Sequence, residues 1–332
     1  MSAPRLLLVT PTFHGYWRAI SSALQRRGYA VSSHLYDRRN AAGKIGEKLG
    51  RELPARLGLR SATTSDHTER AAKAVRSFRP DILLVVKGDI LGADFWAAAS
   101  GIPRRALWLY DELRRTSHTP VTLRAAGPIA SYSPLDVADL RARGLESLHV
   151  PLAHDTDTDI SARSAQSEVV FVGAKYPKRE SILTTLYAAG VPVRAYGRDW
   201  SGHPIDRART WRLRGSRLPT GRDLLRQDAY AVMAAATAAL NIHGDQDGFT
   251  MRTFEVSGVG GLQLIDRADV TDHYEPGREV LVFDTAAEAI DLSRRALADP
   301  TWARRIREAG RARTLAEHTF DHRVTFLERL WA

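Results

Sequence analysis

The sequence predicts an α/β protein of two tandem domains, each a parallel sheet covered by helices. Three observations carry this expectation. Residues 1–151 alternate strand-length apolar runs with segments of helical spacing, the pattern of βαβ units. Residues 152–167 (LAHDTDTDISARSAQS) are polar and unpatterned, as an interdomain linker would be. Residues 168–332 then restart the alternation. A crevice between the two domains is the default binding site of such an arrangement.

In the first domain, Leu6 to Thr10 reads as a buried strand, followed by a turn over residues 11–15. Tyr16 to Arg27 has helical spacing and stops at Gly28, the residue type favoured just past a helix end. Further strands are expected at 29–36, 81–87, 106–110, 129–132 and 147–151, with a helix over about 67–78. Residues 81–87 (DILLVVK) are apolar on both faces, as a strand buried under helices must be. Residues 38–66 are polar and glycine-containing, and read as an insertion. In the second domain, strands are expected at 168–172, 191–196, 238–242, 261–265 and 280–283. Helices fill the gaps. Three more close the chain from about residue 285, the last placed to pack back on the first domain.

The 332 residues are 44% hydrophobic and 26% charged, values that suit two folded cores and exclude disorder, collagen and coiled coil as the main architecture. There is no cysteine, which excludes disulfides, thiolate nucleophiles, zinc fingers and iron–sulfur ligation. Apolar runs such as Ile82 to Val86 fall far below the ~20 residues of a membrane span, and Leu6 to Val9 is too short for a signal-peptide core. A cytoplasmic protein is therefore expected. The formal charge is +10, and all of it lies in the first half: residues 1–150 hold 23 basic and 13 acidic side chains, the remainder 25 of each. Such a half attracts polyanions, or simply keeps an Arg-rich chain in solution.

Candidate chemistry is densest over residues 238–265. A strand ends at Asn241, a loop runs through Asp247, Gly248 and Phe249, and a helix begins near Thr250. The free N–H groups and dipole of a helix start suit a phosphate. Arg252 and Glu255 share a face of that helix. The acid there can accept hydrogen bonds from ribose hydroxyls; the two would equally form a solvent-exposed ion pair. In residues 170–180 (VFVGAKYPKRE), Gly173 ends a strand, so backbone can approach a ligand closely, and Lys175, Lys178 and Arg179 follow. Cations clustered at a strand's carboxyl end suit a diphosphate, whereas beside a helix start they are otherwise unfavourable. His14 and Asp111 follow first-domain strand ends and are candidate bases, with a satisfied loop histidine the plain alternative for His14.

The ordered motifs FVG-x-x-YPKRE, YG-x-x-W, LNIH, DGFTMRTFE-x-x-x-x-GG, YEPG-x-E and HTF-x-x-R, spread over residues 168–330, resemble the CgeB (spore-maturation protein) group of glycosyltransferases. The first half shares only VVKGD at a strand end and WLYDE around Asp111. The resemblance implies a GT-B fold: two Rossmann-like parallel-sheet domains facing across a cleft. The first would hold the acceptor, with Lys87 and Asp89 on that side, and the second a nucleotide-sugar. Asp247 and Glu255 would be a variant of the E-x7-E pair of retaining enzymes, Asp247 toward the donor sugar and Glu255 on the ribose. Backbone N–H groups of Gly248, Phe249 and Thr250 would meet hydroxyl or phosphate. Gly173, Lys178, Arg179, Gly197, Trp200, Asn241 and Arg252 would complete the donor side. Two departures stand out. Asp247 is one methylene shorter than Glu, and Ala174 occupies a position where retaining relatives carry Arg, leaving Lys178 or Arg179 to serve alone or with Arg252.

The implied activity is sugar transfer from a nucleotide-diphosphate donor, with retention and with neither metal nor other cofactor. The charge admits an anionic acceptor, DNA or an envelope polymer. A non-catalytic nucleotide-binding protein and a nucleic-acid-binding protein on the same scaffold are the alternatives. Asp155, Asp157 and Asp159 lack the Gly and Glu of a calcium loop and read as solvated linker. Trp200 and Trp211, in the Arg-rich stretch 198–226, would stack on a ligand or anchor their loop.

Overall fold

The computed structural model describes residues 3–38, 63–160, 163–210 and 216–332. The insertion expected at 38–66 lies largely outside the described residues, as does Trp211. The chain divides into two compact units, Met1–Pro151 with Phe320–Ala332, and Leu152–Thr319.

The first unit runs β1 (Arg5–Thr10), α1 (Tyr16–Arg26), β2 (Ala30–Leu35), α2 (Thr63–Phe78), β3 (Ile82–Val86), α3 (Ala93–Ser100), β4 (Arg104–Leu109), α4 (Pro120–Ala126), β5 (Ile129–Ser131), α5 (Pro134–Ala142) and β6 (Ser147–His149). Its described strands form one parallel sheet in the order β2-β1-β3-β4-β5-β6. β3 is buried at every position, which explains its uninterrupted apolar run. α1 buries Ala19, Ile20, Ala23 and Leu24 on one face. The chain turns out of α1 through Gly28, whose φ of +92° a side chain would strain. Strand order reverses between β1 and β3, so the loops leaving those two strands part and open a crevice at their carboxyl ends.

The second unit runs β7 (Gln166–Val172), α6 (Pro177–Ala188), β8 (Val193–Tyr196), α7 (Pro204–Thr210), β9 (Thr220–Gly221), α8 (Arg226–Ala235), β10 (Ala236–Asn241), α9 (Met251–Gly258), β11 (Gln263–Ile265), β12 (Leu281–Val282), α10 (Ala286–Ala298) and α11 (Pro300–Glu317). The sheet order is β12-β11-β10-β7-β8-β9, again parallel throughout. The reversal here falls between β7 and β10. α12 (Phe320–Leu327) groups with the first unit. It buries Phe320, Val324 and Leu327, and Asp321 receives both Arg26 Nε and Nη2, at 2.7 and 2.8 Å. That ion pair is half exposed and adds little; the buried apolar face does the docking.

Two expectations change. β9 has only two residues, too short for a periodicity signal, and was not foreseen. The start of the supposed linker is not solvated. Leu152, Ala153, His154 and Asp155 are buried, and Asp155 pairs with Arg226 at 2.7 Å. A buried charge needs such a partner, so this segment is part of the second unit's interior. No helix among the described residues is long and apolar enough to cross a membrane.

Candidate functional site

The donor-side residues foreseen in the second unit gather at its strand reversal. Gly173 follows β7 and Ile242 follows β10. Arg179, on the first turns of α6, spans the gap: Nε donates to Ile242 O at 2.7 Å and Nη1 to Ala174 O at 3.1 Å. Its guanidinium also lies 4.8 Å from the Tyr176 ring centre. Burial lowers its pKa, Tyr176 and Asp266 oppose that, and Arg252 reinforces it, so two cations feel each other here. α9 starts immediately after this loop, with Thr250 at its N-cap making no side-chain cap bond and no acid in the first turn. A helix start beside two guanidinium groups is an anion-binding arrangement.

Glu255 is not on a solvent-exposed ion pair. It is 1% exposed; Oε2 lies 2.9 Å from Arg252 Nη1 and Oε1 accepts from Tyr230 Oη at 3.2 Å. Arg252 itself is partly exposed. Asp247 and Thr250 are half-buried, while Gly248 and Phe249 are buried.

Three residues expected on the donor side make internal framework contacts. Asn241 is buried, and its Nδ2 donates to Thr253 Oγ1 and to Gln263 Oε1, both at 3.0 Å, tying β10 to α9 and β11. Trp200 is 1% exposed, and its Nε1 donates to Gly173 O at 2.9 Å. It anchors its loop and offers no face to a base. Gly197 has φ +148°, and a Cβ there would meet Gly173 O at 2.6 Å, so the glycine permits two strand ends to close on each other. Lys178 sits at the site, but its Nζ is 2.6 Å from Asp266 Oδ2.

Asp266, His243 and Arg267 were not foreseen. Asp266 follows β11 and accepts from His243 N at 2.8 Å and bonds His243 Nδ1 at 2.9 Å, as well as binding Lys178. Burial alone would raise its pKa, but the bonds from His243 and Lys178 outweigh it and hold the carboxyl below its usual range. Arg267 donates to Gln246 O at 2.9 Å and Asp247 O at 2.8 Å, and its guanidinium lies 4.5 Å from the Phe249 ring centre. It therefore fixes the 246–249 loop. The signal was available: polar residues directly after a parallel strand stand where such sheets bind ligands.

His154 packs beneath this region. Its ring stacks on Tyr230 at 5.4 Å, and a Cβ at Gly258 would lie 2.4 Å from it. Burial pushes its pKa down to about 4, with Glu255 and Asp155 opposing. An unfolded His titrates near 6.5, so between about pH 6.5 and 4 only the unfolded chain gains the proton. Stability should fall over that window by roughly 3 kcal/mol as pH drops, and change no further from this group below it. Urea unfolding of wild type and His154→Gln at pH 7, 5.5 and 4.5 measures this. Equal pH slopes in the two proteins would refute it.

In the first unit, a cavity of about 550 Å³ opens at the carboxyl ends of β1, β3 and β4. Lys87, Asp89 and Asp111 all line it. Lys87 Nζ and Asp111 Oδ2 form an ion pair, and Lys87 adopts φ +63° while His118 Nε2 contacts its carbonyl at 2.7 Å. His14 is exposed with φ +44° and does not line the cavity; it packs on Phe13 and Tyr16, which do. Among the described residues, the cavity lining carries three carboxylates, Asp37, Asp89 and Asp111, with the ammonium of Lys87 and the imidazole of His67. The described lining therefore does not share the positive excess of the first half. Among the described residues, no group of three or more His, Asp or Glu is placed to hold a metal ion.

Residues 178–329, from α6 through the last helix, match a family model described as "Glycosyl transferase-like". No curated protein matches the sequence. Several solved structures are similar over nearly the whole chain. Sucrose-phosphate synthase from Thermosynechococcus elongatus has 16% identity and a TM-score of 0.66, covering 99% of this chain and 98% of that one. The DNA-modifying enzyme beta-glucosyltransferase has 12% identity and a TM-score of 0.62, covering 98% of each. Anabaena HepE, solved with UDP-glucose, has 12% identity and a TM-score of 0.61, covering 99% of this chain and 98% of that one. At these identities the likeness is one of fold. Two Rossmann-like parallel sheets of this order give the chain a GT-B architecture, and its second unit is similar to a glycosyltransferase-like family.

Proposed function

We propose that the protein moves a sugar from a nucleoside-diphosphate donor, UDP-glucose or a close analogue, to an acceptor hydroxyl, as a member of the CgeB-like group. The observation that carries this is Arg179 bridging the β7 and β10 loops beside the start of α9. Arg252 adds a second cation there. Cations and helix N–H groups fixed in advance stabilise the charge that develops on a departing diphosphate. That supports transfer without a divalent ion. The choice of uridine rests on UDP-glucose in the complexes of similar structures. Retention rests on the likeness of Asp247 and Glu255 to a retaining acid pair.

Calorimetry and thermal shift with UDP, UMP and UDP-glucose test the reading. UDP should bind more tightly than UMP, because the second phosphate reaches the cations. At a hundredfold excess over Kd it should stabilise the fold by about 2.7 kcal/mol. Slow UDP release from UDP-glucose should persist in EDTA, and product NMR should show the donor's anomeric configuration. The proposal fails if no nucleoside diphosphate binds at millimolar concentration.

A further inference from the structure

We propose that the cavity of the first unit takes a small ring-bearing polyol, neutral or cationic, and not a polyanion. Its size fits one molecule of one or two rings; ligand pockets of roughly 300–1,000 Å³ are the common range. One wall is aromatic. Phe13 is 56% exposed, and Trp17 and Tyr110 also line the space. Such rings take the apolar face of a sugar or an aryl group. The polar side is acidic. Asp37 is held by Thr12 N at 2.7 Å and Thr12 Oγ1 at 3.0 Å, and Asp111 is paired with Lys87. Asp89 Oδ1 is buried and has no hydrogen-bond partner among the described residues.

The field in the cavity agrees. Burial raises the pKa of the Tyr36 hydroxyl, which lines the space, and Asp89, Asp37 and Asp111 each push it further in the same direction. Within the described lining, an anionic ligand would meet these carboxylates with the Lys87 ammonium already paired to Asp111. Specificity is set by the few groups that face the ligand, not by the total charge of the first half.

The word acceptor rests on the transferase reading; the ligand class does not. The test uses the full chain, tryptophan fluorescence and calorimetry, and three matched probes: phenyl glucoside (neutral), phenyl glucosaminide (cationic) and phenyl glucuronide (anionic). The first two should bind, and the glucuronide should bind at least about tenfold more weakly, as expected for like charges at close range. Asp89→Asn, isosteric, should shrink that deficit. Phe13→Ala, at an exposed position, should weaken the neutral probe about tenfold. A glucuronide that binds as well as the glucoside, or duplex DNA that displaces the glucoside at low salt, overturns the inference, as do two variants without effect. UDP binding is measured separately. If UDP binds and the probe order is reversed, only this inference falls. If no nucleotide binds and the order holds, only the transferase reading falls.

Discussion

Glu255→Gln should lower kcat/KM for UDP-glucose turnover by roughly 10–100-fold, the value of charge-assisted hydrogen bonds to a ribose. The carboxylate is 1% exposed beneath Arg252, which is itself partly open to solvent. On the proposed reading a donor would meet the partly exposed Arg252 first, and the ribose would gain Glu255 only as Arg252 exchanged that carboxylate for the diphosphate. Gln keeps the shape and removes the charge. The loss should therefore appear in UDP affinity, measured by calorimetry, with a stability change of only about 1–2 kcal/mol because Arg252 can turn to water. Arg252→Ala is the contrasting variant. It takes the guanidinium from a buried carboxylate that Tyr230 also contacts, and should cost about 3–5 kcal/mol in unfolding experiments. If Glu255→Gln binds UDP within about twofold of wild type, the residue is a strut between α9 and Tyr230 and the ribose assignment is lost.

How much of this was legible in the sequence depends on the kind of signal. Parallel strands buried on both faces are continuous apolar runs, so β3 announces itself as ILLVV, and the restart after residue 168 marks the second sheet. β9, with two residues, has no period to detect. The donor-side motifs were legible as positions but not as roles. Asn241 and Trp200 share those motifs with Arg179, yet point inward, and burial is a tertiary property that spacing does not encode. The same limit applies to charge. Counting side chains over residues 1–150 gave a basic half, while the fold selects Asp37, Asp89 and Asp111 to face one cavity. Asp266 and Arg267 were missed because they bear no motif, although their place after β11 was readable.

Arg179→Ala should reduce kcat for UDP-glucose turnover by about 10²–10³-fold, the usual cost of removing one group that stabilises developing charge in a site. Two effects combine. A cation at the β7–β10 crevice disappears, and so do the bonds that hold the Ile242 and Ala174 carbonyls to one side chain. Arg179→Lys separates them. It keeps the charge, but a single ammonium on a flexible stem cannot replace a planar fork stacked on Tyr176, so an intermediate loss of about tenfold is expected. Ala174 supplies the sharper check, since the resemblance places it where retaining relatives would carry Arg. Adding Ala174→Arg to Arg179→Ala returns a guanidinium to the same crevice on a different stem, and should recover part of kcat while leaving the two carbonyls unheld. Recovery of kcat without recovery of thermal stability would assign Arg179 to the diphosphate. Recovery of neither, with Arg179→Lys as stable and as active as wild type, would reduce it to a loop clamp and move the search for the diphosphate's partner to Arg252 and the α9 helix start.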